Sequence, residues 1–80
     1  MKLFEALNYV GRMLETGTKG TFTLNVVTEE KKALVFTIDA DKTTLALTGE
    51  ESEDAACAAL VDGLVKGYEV VALTWEAGNQ

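Results

Sequence analysis

The residues best suited to chemistry are carboxylates, and they crowd into one stretch of the chain. Residues 39–54 hold six acidic side chains and one Lys, in a chain of 80 residues with a formal charge of −6 at pH 7. The six are Asp39, Asp41, Glu50, Glu51, Glu53 and Asp54. Carboxylates in such number can bind a divalent cation. They can also imitate the phosphate charges of nucleic acid and so bind a protein that binds nucleic acid.

A calcium-binding loop is the first of these possibilities, and the pattern fits it only in part. Four residues occupy ligand positions of an EF-hand loop: Asp39, Asp41, Thr43 and Glu50. The sixth position of such a loop needs Gly for its sharp turn, but here it is Thr44. Residues 45–47 alternate like a strand, through which the loop cannot close. We therefore expect no calcium site. An alternative function is a small enzyme in which Asp39 and Asp41 act as a carboxylate pair with a metal ion taken from solution.

The residues that the chain lacks argue against most kinds of catalysis. It has no His, which removes the commonest general base and the commonest metal ligand. Ser52 is its only Ser and Cys57 its only Cys, so neither a Ser–His pair nor an internal disulfide can form. No glycine-rich phosphate-binding motif is present. We expect a protein that is not an enzyme, binds no cofactor and works in the reducing cytoplasm.

Two segments of the chain have helical periodicity, one before the strands and one between the third strand and the fourth. Residues 2–15 predict an amphipathic helix with Tyr9 pointing away from its apolar stripe, which comprises Leu3, Leu7, Val10 and Leu14, widened by Phe4. Residues 49–67 predict a second helix with Ser52 as its N-cap. The apolar stripe expected to be buried on this helix comprises Cys57, Leu60, Val61 and Leu64.

Four segments alternate between apolar and polar residues as strands do. Residues 21–28, 33–39 and 43–48 predict an antiparallel meander because short polar turns join them. Residues 69–76 predict a fourth strand, with Val71, Leu73 and Trp75 facing the core. Because a helix connects the third strand to the fourth, we expect the fourth to run parallel to its neighbour, either the first strand or the third.

These elements predict a single α+β domain spanning residues 1–80. Its architecture is a two-layer sandwich of order αβββαβ, with both helices on one face of the sheet. Residues 76–80 are expected to form a frayed tail. No apolar run is long enough to span a membrane, so we expect no membrane contact.

The sheet face that the helices leave open is predicted to carry no charge. Its twelve positions are Thr23, Asn25, Val27, Ala33, Val35, Thr37, Thr44, Ala46, Thr48, Val70, Ala72 and Thr74. A solvated antiparallel face normally carries Lys and Glu, so a neutral face suits a flat contact. Two interpretations stand side by side: an interface for a homodimer or for a docking partner, and a Thr-rich surface that only reflects β-propensity. The predicted interface centres on Thr23, Asn25, Val35, Thr37, Thr44, Ala46, Ala72 and Thr74.

The acidic segment supports the leading functional hypothesis. Its two parts, the turn after the second strand and the loop before the second helix, are expected at opposite ends of the third strand, roughly 20 Å apart. Spaced charges of this kind could occupy a basic nucleic-acid groove on a partner protein. The alternative is that they only provide solubility and a favourable helix start. The same acidic balance opposes direct binding of this chain to nucleic acid.

A small acidic α+β chain without catalytic residues resembles, in composition, the phage and mobile-element proteins that block host defence. The resemblance implies a protein-binding inhibitor or regulator, such as an anti-CRISPR or anti-restriction factor, whose partner has a basic nucleic-acid-binding surface. The alternative function is a structural or assembly module that forms a homodimer through the uncharged sheet face.

Overall fold

Two helices cover one face of a four-stranded antiparallel sheet in the computed structural model, which describes residues 1–78. The elements along the chain are α1 (Leu3–Glu15), β1 (Thr21–Val27), β2 (Ala33–Asp39), β3 (Thr44–Leu47), α2 (Glu53–Lys66) and β4 (Glu69–Glu76). The strands lie in the order β3-β2-β1-β4, so β3 and β4 form the two edges. The predicted α+β sandwich of order αβββαβ is confirmed.

Strand β1 buries alternate residues against the helices, as its sequence pattern predicts, whereas β2 fully buries only Phe36, with Leu34 and Ile38 partly buried. The largest fully buried side chains of the sheet are Phe22, Leu24, Val26 and Phe36. In the strand register Leu24 lies opposite Phe36 on one side and Leu73 of β4 on the other. Full burial of each such side chain contributes about 1.5–3 kcal/mol, so this cluster is the main source of stability.

Helix α1 packs on this cluster through one narrow face. Its buried residues are Leu3, Ala6 and Val10. Glu5 Oε1 accepts the backbone N–H of Lys2 at 2.8 Å and so satisfies a donor that the helix start leaves without a partner. Phe4, expected to widen the apolar stripe, is exposed, whereas Tyr9 is exposed as predicted.

The direction of β4 differs from the prediction: it runs antiparallel to its neighbour β1. The reason lies in residues 48–52, which turn the chain back after β3. Leu45 donates its backbone N–H to Glu53 Oε2 at 2.8 Å, so α2 begins beside the start of β3 rather than beyond its end. The helix then runs in the same direction as β3. It ends near the pair Val27 and Glu69, from which β4 must run the opposite way.

A β-bulge in β4 overturns the predicted inward set at one position. Val26 pairs with Val70 and Asn25 with Ala72, so Val71 is an extra residue between two regular pairs. Val70, expected on the open face, is 5% exposed and belongs to the core, whereas Val71, expected in the core, is 66% exposed. Strict alternation fails here because one inserted residue moves the side chains before it in the strand to the opposite face of the sheet.

Helix α2 begins at Glu53 after its predicted cap, and it is rotated relative to the prediction. The Ser52 hydroxyl accepts the N–H of Ala55 at 3.0 Å, which confirms the cap. The buried residues of the helix are Ala56 and Gly63, whereas Cys57 and Val61 are exposed. A Cβ at Gly63 would lie 2.9 Å from Leu3 Cδ2 and 3.0 Å from Tyr68 Cδ2. Gly63 therefore lets the helix approach Leu3 of α1 closely, and Cys57 lies on the outward side.

Strand β4 ends at the first residue of the expected tail. Glu76 of the expected tail 76–80 is the last residue of β4 and pairs with Thr21. Residues 79 and 80 lie outside the described residues. Within residues 1–78, neither helix is long and apolar enough to cross a membrane.

Candidate functional site: the acidic edge beside β3

The six predicted carboxylates occupy the end of β2 and the turn before the edge strand β3, the loop after β3, and the first turn of α2. Asp39 pairs with Thr44 at the start of β3, where Glu53 also reaches Leu45. The N–H of Glu50 donates to the carbonyl of Leu47 at the other end, at 3.0 Å. We call the six residues the acidic edge: Asp39, Asp41, Glu50, Glu51, Glu53 and Asp54.

The spacing within the acidic edge corrects the predicted separation of about 20 Å. Strand β3 has 4 residues, which span about 13 Å at about 3.3 Å per residue. The first turn of α2 returns to the start of β3, so the two acidic parts approach each other along that short strand. Glu53 thus lies beside the start of β3, whereas Asp41 is directed toward Gly20, just before β1.

Three of the six carboxylates are occupied in holding the fold. Asp39 Oδ1 accepts the backbone N–H groups of Asp41 and Lys42, at 2.9 and 3.1 Å, and so stabilises the turn after β2. Asp41 Oδ1 accepts the N–H of Gly20 at 3.3 Å. Glu53 accepts the N–H of Leu45. Their positions are therefore fixed, but their lone pairs are partly used.

The other three carboxylates are exposed and have no hydrogen bond or ion pair within residues 1–78. They are Glu50, Glu51 and Asp54. By contrast, Asp62 on the same helix binds Lys66 Nζ at 3.2 Å, and this hydrogen bond raises the pKa of Lys66. The negative charge of these three carboxylates, in the loop before α2 and in its first turn, is thus not compensated. It is available to a positively charged partner.

The carboxylates do not come together as a metal site. In the part of the chain that the structure describes, no three Asp, Glu or Cys side chains converge to hold a metal ion. Asp39 and Asp41, which the small-enzyme alternative invokes, point to backbone N–H groups instead. Thr44–Leu47 forms a strand, whereas an EF-hand would need a tight loop at these residues.

The open sheet face is the second predicted surface. Across the strands, Thr23 lies between Thr37 and Thr74, and Asn25 lies between Val35 and Ala72. Thr44 and Ala46 extend the same face on β3. Strand β2 is an inner strand, so Val35 is near the centre of the face. The strand pairing also places three charged residues on this face, at its two ends: Asp39, Glu69 and Glu76.

Sequence reasoning missed a groove between α1 and β4. Its volume is about 330 Å³, and it is lined by Met1, Tyr9, Phe22, Leu73, Thr74 and Trp75. Tyr9 is 48% exposed and Trp75 is 50% exposed, although both are aromatic. The one available signal was that Tyr9 departs from the apolar stripe of α1. Nothing in the sequence indicates that it shares a groove with Trp75, because 65 residues lie between them along the chain.

The first residues of the chain are fastened to the start of β4. Lys2 Nζ lies 3.0 Å from Glu69 Oε1, and the Met1 amino group lies 3.5 Å from the other carboxylate oxygen. The hydrogen bond from Lys2 is the main cause that lowers the pKa of Glu69; desolvation opposes it, and the charges of Lys2 and of the amino terminus lower the pKa further. The pair secures the first turn of α1 against the sheet.

Comparison with known proteins assigns the chain to no family. No protein-family model, curated protein or solved structure matches it. The function must therefore be inferred from its own surfaces.

Proposed function

We propose that this chain is a non-enzymatic inhibitor or regulator that binds a partner protein through its acidic edge and competes there with nucleic acid. The observation that carries the proposal is the set of three exposed carboxylates without partners in residues 1–78, beside three more held in place by backbone N–H groups. The partner we propose is a cytoplasmic nuclease complex of host defence, which is the kind of target that anti-CRISPR and anti-restriction proteins bind.

Charge density supports this proposal. Four of the six carboxylates fall within residues 50–54, so the start of α2 and the loop before it present a dense negative charge, as nucleic acid does. A protein groove lined with Lys and Arg attracts either surface. The carboxylates fixed by Gly20, Leu45 and the turn after β2 lose little conformational entropy on binding, because the fold has already ordered them.

The test compares two triple variants that change the net charge from −6 to −3. The first removes the three unpaired carboxylates by Glu50→Gln, Glu51→Gln and Asp54→Asn, and it keeps Glu53 because that residue binds Leu45. The matched control neutralises three exposed carboxylates elsewhere, by Glu15→Gln, Glu29→Gln and Glu30→Gln.

A partner captured from the native host is purified, and its binding to labelled duplex DNA is measured with each variant present. We expect the wild type and the control to displace the DNA, and the first variant to do so at least tenfold less well. Raising the salt concentration should weaken displacement steeply. A partner that binds the first variant as tightly as the wild type at low salt contradicts the proposal.

The open sheet face favours a second candidate, a module that assembles as a homodimer. The helices leave this face uncovered, and its centre is uncharged around Thr23, Asn25 and Val35. Val35→Lys would set like charges close together near a two-fold axis. Sedimentation at micromolar concentration should then show a dimer for the wild type and a folded monomer for the variant. A wild type that stays at the 8.6 kDa chain mass excludes this candidate.

A further inference from the structure

Strand β4 has a free edge that is partly covered by the start of the chain. Val70 donates its N–H to the Met1 carbonyl at 2.7 Å, and Leu3 donates its N–H to the Tyr68 carbonyl at 3.0 Å. Met1–Leu3 therefore lies antiparallel to β4, with Lys2 opposite Glu69. From residue 71 to residue 76, no other strand within residues 1–78 pairs with this edge.

The free part of the edge lacks the usual protections of an exposed strand. Residues 71–75 contain no charge and no Pro, although the bulge at Val71 interrupts the pairing at one end. Glu76 closes the other end, and its carboxylate has no hydrogen bond or ion pair within residues 1–78. An edge of this kind is a template for a further strand, whose backbone would supply the missing hydrogen bonds.

The groove between α1 and β4 runs beside the same edge. Leu73 and Trp75 reach it from the helix-facing side of the strand, and Tyr9 and Met1 reach it from the helix and the chain start. The indole N–H of Trp75 donates to the Lys19 carbonyl at 2.8 Å, which holds the ring in place. Alternate side chains of an added strand would point into this groove, because successive residues of a strand face opposite sides.

We propose that the β4 edge binds an extended peptide segment of another protein. The segment has about six residues, runs antiparallel to β4 and continues the line of Met1–Leu3. Its apolar residues lie opposite Leu73 and Trp75, and a Lys or Arg at its N-terminal end lies opposite Glu76. The unpaired carboxylate and the net charge of −6 select a basic segment.

A second copy of the chain fits the edge less well. Antiparallel pairing of two β4 strands about Thr74 or Leu73 sets Glu76 against Ala72 or Val70 of the copy. Neither residue supplies a positive charge. Such pairing would also bring two chains of charge −6 together. The occupant proposed here is therefore a basic peptide, and self-association is an outcome that the test must separate from it.

Trp75 is the only Trp of the chain, so its fluorescence reports directly on the groove. The probe is the blocked peptide Lys-Val-Thr-Val-Thr-Val, whose second and fourth residues would face Trp75 and Leu73. One control peptide replaces its Lys by Glu, and another, Lys-Thr-Val-Thr-Val-Thr, points its apolar residues to the opposite sheet face. We expect a saturable blue shift with the first peptide and at least tenfold weaker binding of both controls.

Two variants of α1 separate groove binding from general adhesion. Tyr9→Lys places a charge in the groove and should weaken the first peptide at least tenfold. Phe4→Lys changes another exposed aromatic residue of the same helix, outside the groove lining, and should change affinity less than twofold. Circular dichroism and thermal melting confirm that both variants are folded, which is expected because both side chains are about half exposed.

Several results would overturn the proposal. They are the absence of a saturable change, equal binding of the two apolar registers, and undiminished binding by Tyr9→Lys. A blue shift that depends on protein concentration alone, with a dimer in sedimentation, would assign the edge to a second copy. The proposal is independent of the acidic edge, because β3 and β4 are opposite edges of the sheet. The variant lacking three carboxylates at that edge should bind the peptide like the wild type.

Discussion

Glu53 Oε2 accepts the backbone N–H of Leu45 at 2.8 Å and thereby joins the first turn of α2 to the start of β3. The bond occupies a donor that an edge strand would otherwise expose. It also places Glu53 at the end of the sheet where β3 begins, from which α2 leads to the start of β4. One side chain thus links the fold to the candidate site.

Removal of this bond should destabilise the protein more than removal of the neighbouring charge. We expect Glu53→Ala to lower the free energy of unfolding by about 1 kcal/mol, the usual net contribution of a hydrogen bond. Asp54→Ala is the control because Asp54 lies in the same helical turn, with the same favourable helix dipole but no bond. Urea denaturation of both variants measures the difference. Equal midpoints would show that the bond to Leu45 contributes nothing.

The bulge in β4 predicts opposite outcomes for two adjacent valines. Val70→Ala removes two methyl groups from the core and should cost about 2 kcal/mol. Val71→Ala removes the same atoms from an exposed position and should cost less than about 0.5 kcal/mol. Thermal or urea unfolding decides between them. If Val71→Ala were the more damaging change, the strand would follow the simple alternation and the bulge would be wrong.

Gly20 should tolerate no side chain. Its φ is +109°, and an added Cβ would fall on the Glu76 carbonyl oxygen and lie 2.9 Å from the Trp75 indole nitrogen. We expect Gly20→Ala to cost more than about 2 kcal/mol and to change the fluorescence of Trp75. Gly17→Ala is the control, because Gly17 has a φ of +83° with open space around it. That variant should lose only about 1 kcal/mol, from backbone conformation alone.

The ion pair of Glu69 predicts a dependence of stability on pH. Its folded pKa lies below the usual 4.5, first because of the hydrogen bond from Lys2. The stabilisation is therefore complete above the unfolded pKa and is lost as the pH falls through the lowered folded value. Wild type should melt at a higher temperature than Glu69→Gln at pH 7, and the two should converge near pH 2.

The matched control for this pH series is Glu76→Gln, at the other end of β4. Glu76 has no ion pair within residues 1–78, so this variant should show no such convergence. Added salt should also shrink the effect at Glu69, because that pair is exposed to solvent and is screened. A difference for Glu69→Gln that persists unchanged at pH 2 would contradict the assigned cause.

Local patterns in the sequence were enough to predict most elements and much of the core. The alternation of Phe22, Leu24 and Val26 fixes a strand and its buried face, because side chains on a strand repeat every two residues. Ser52 predicts a helix start for an equally local reason, since its hydroxyl bonds a backbone N–H three residues later. Such rules act within one turn or one strand, and a sequence displays them directly.

Helix rotation was decided by contacts between distant residues. The sequence placed Cys57 in the core because it aligns with apolar neighbours. In a helix that is apolar on most sides, as α2 is, periodicity does not choose the buried face. The choice came from Gly63, which lets the helix approach Leu3 closely.

By itself, the sequence determined the α+β class, the acidic balance, the absence of His and the neutral centre of the open sheet face. Only the tertiary structure decided the direction of β4, the bulge at Val71, the position of Glu53 beside β3 and the groove lined by Tyr9 and Trp75. The physical reason is range. Propensity, capping and alternation depend on neighbours in the chain, whereas a crossover, a bulge and a groove depend on atoms brought together from its two ends.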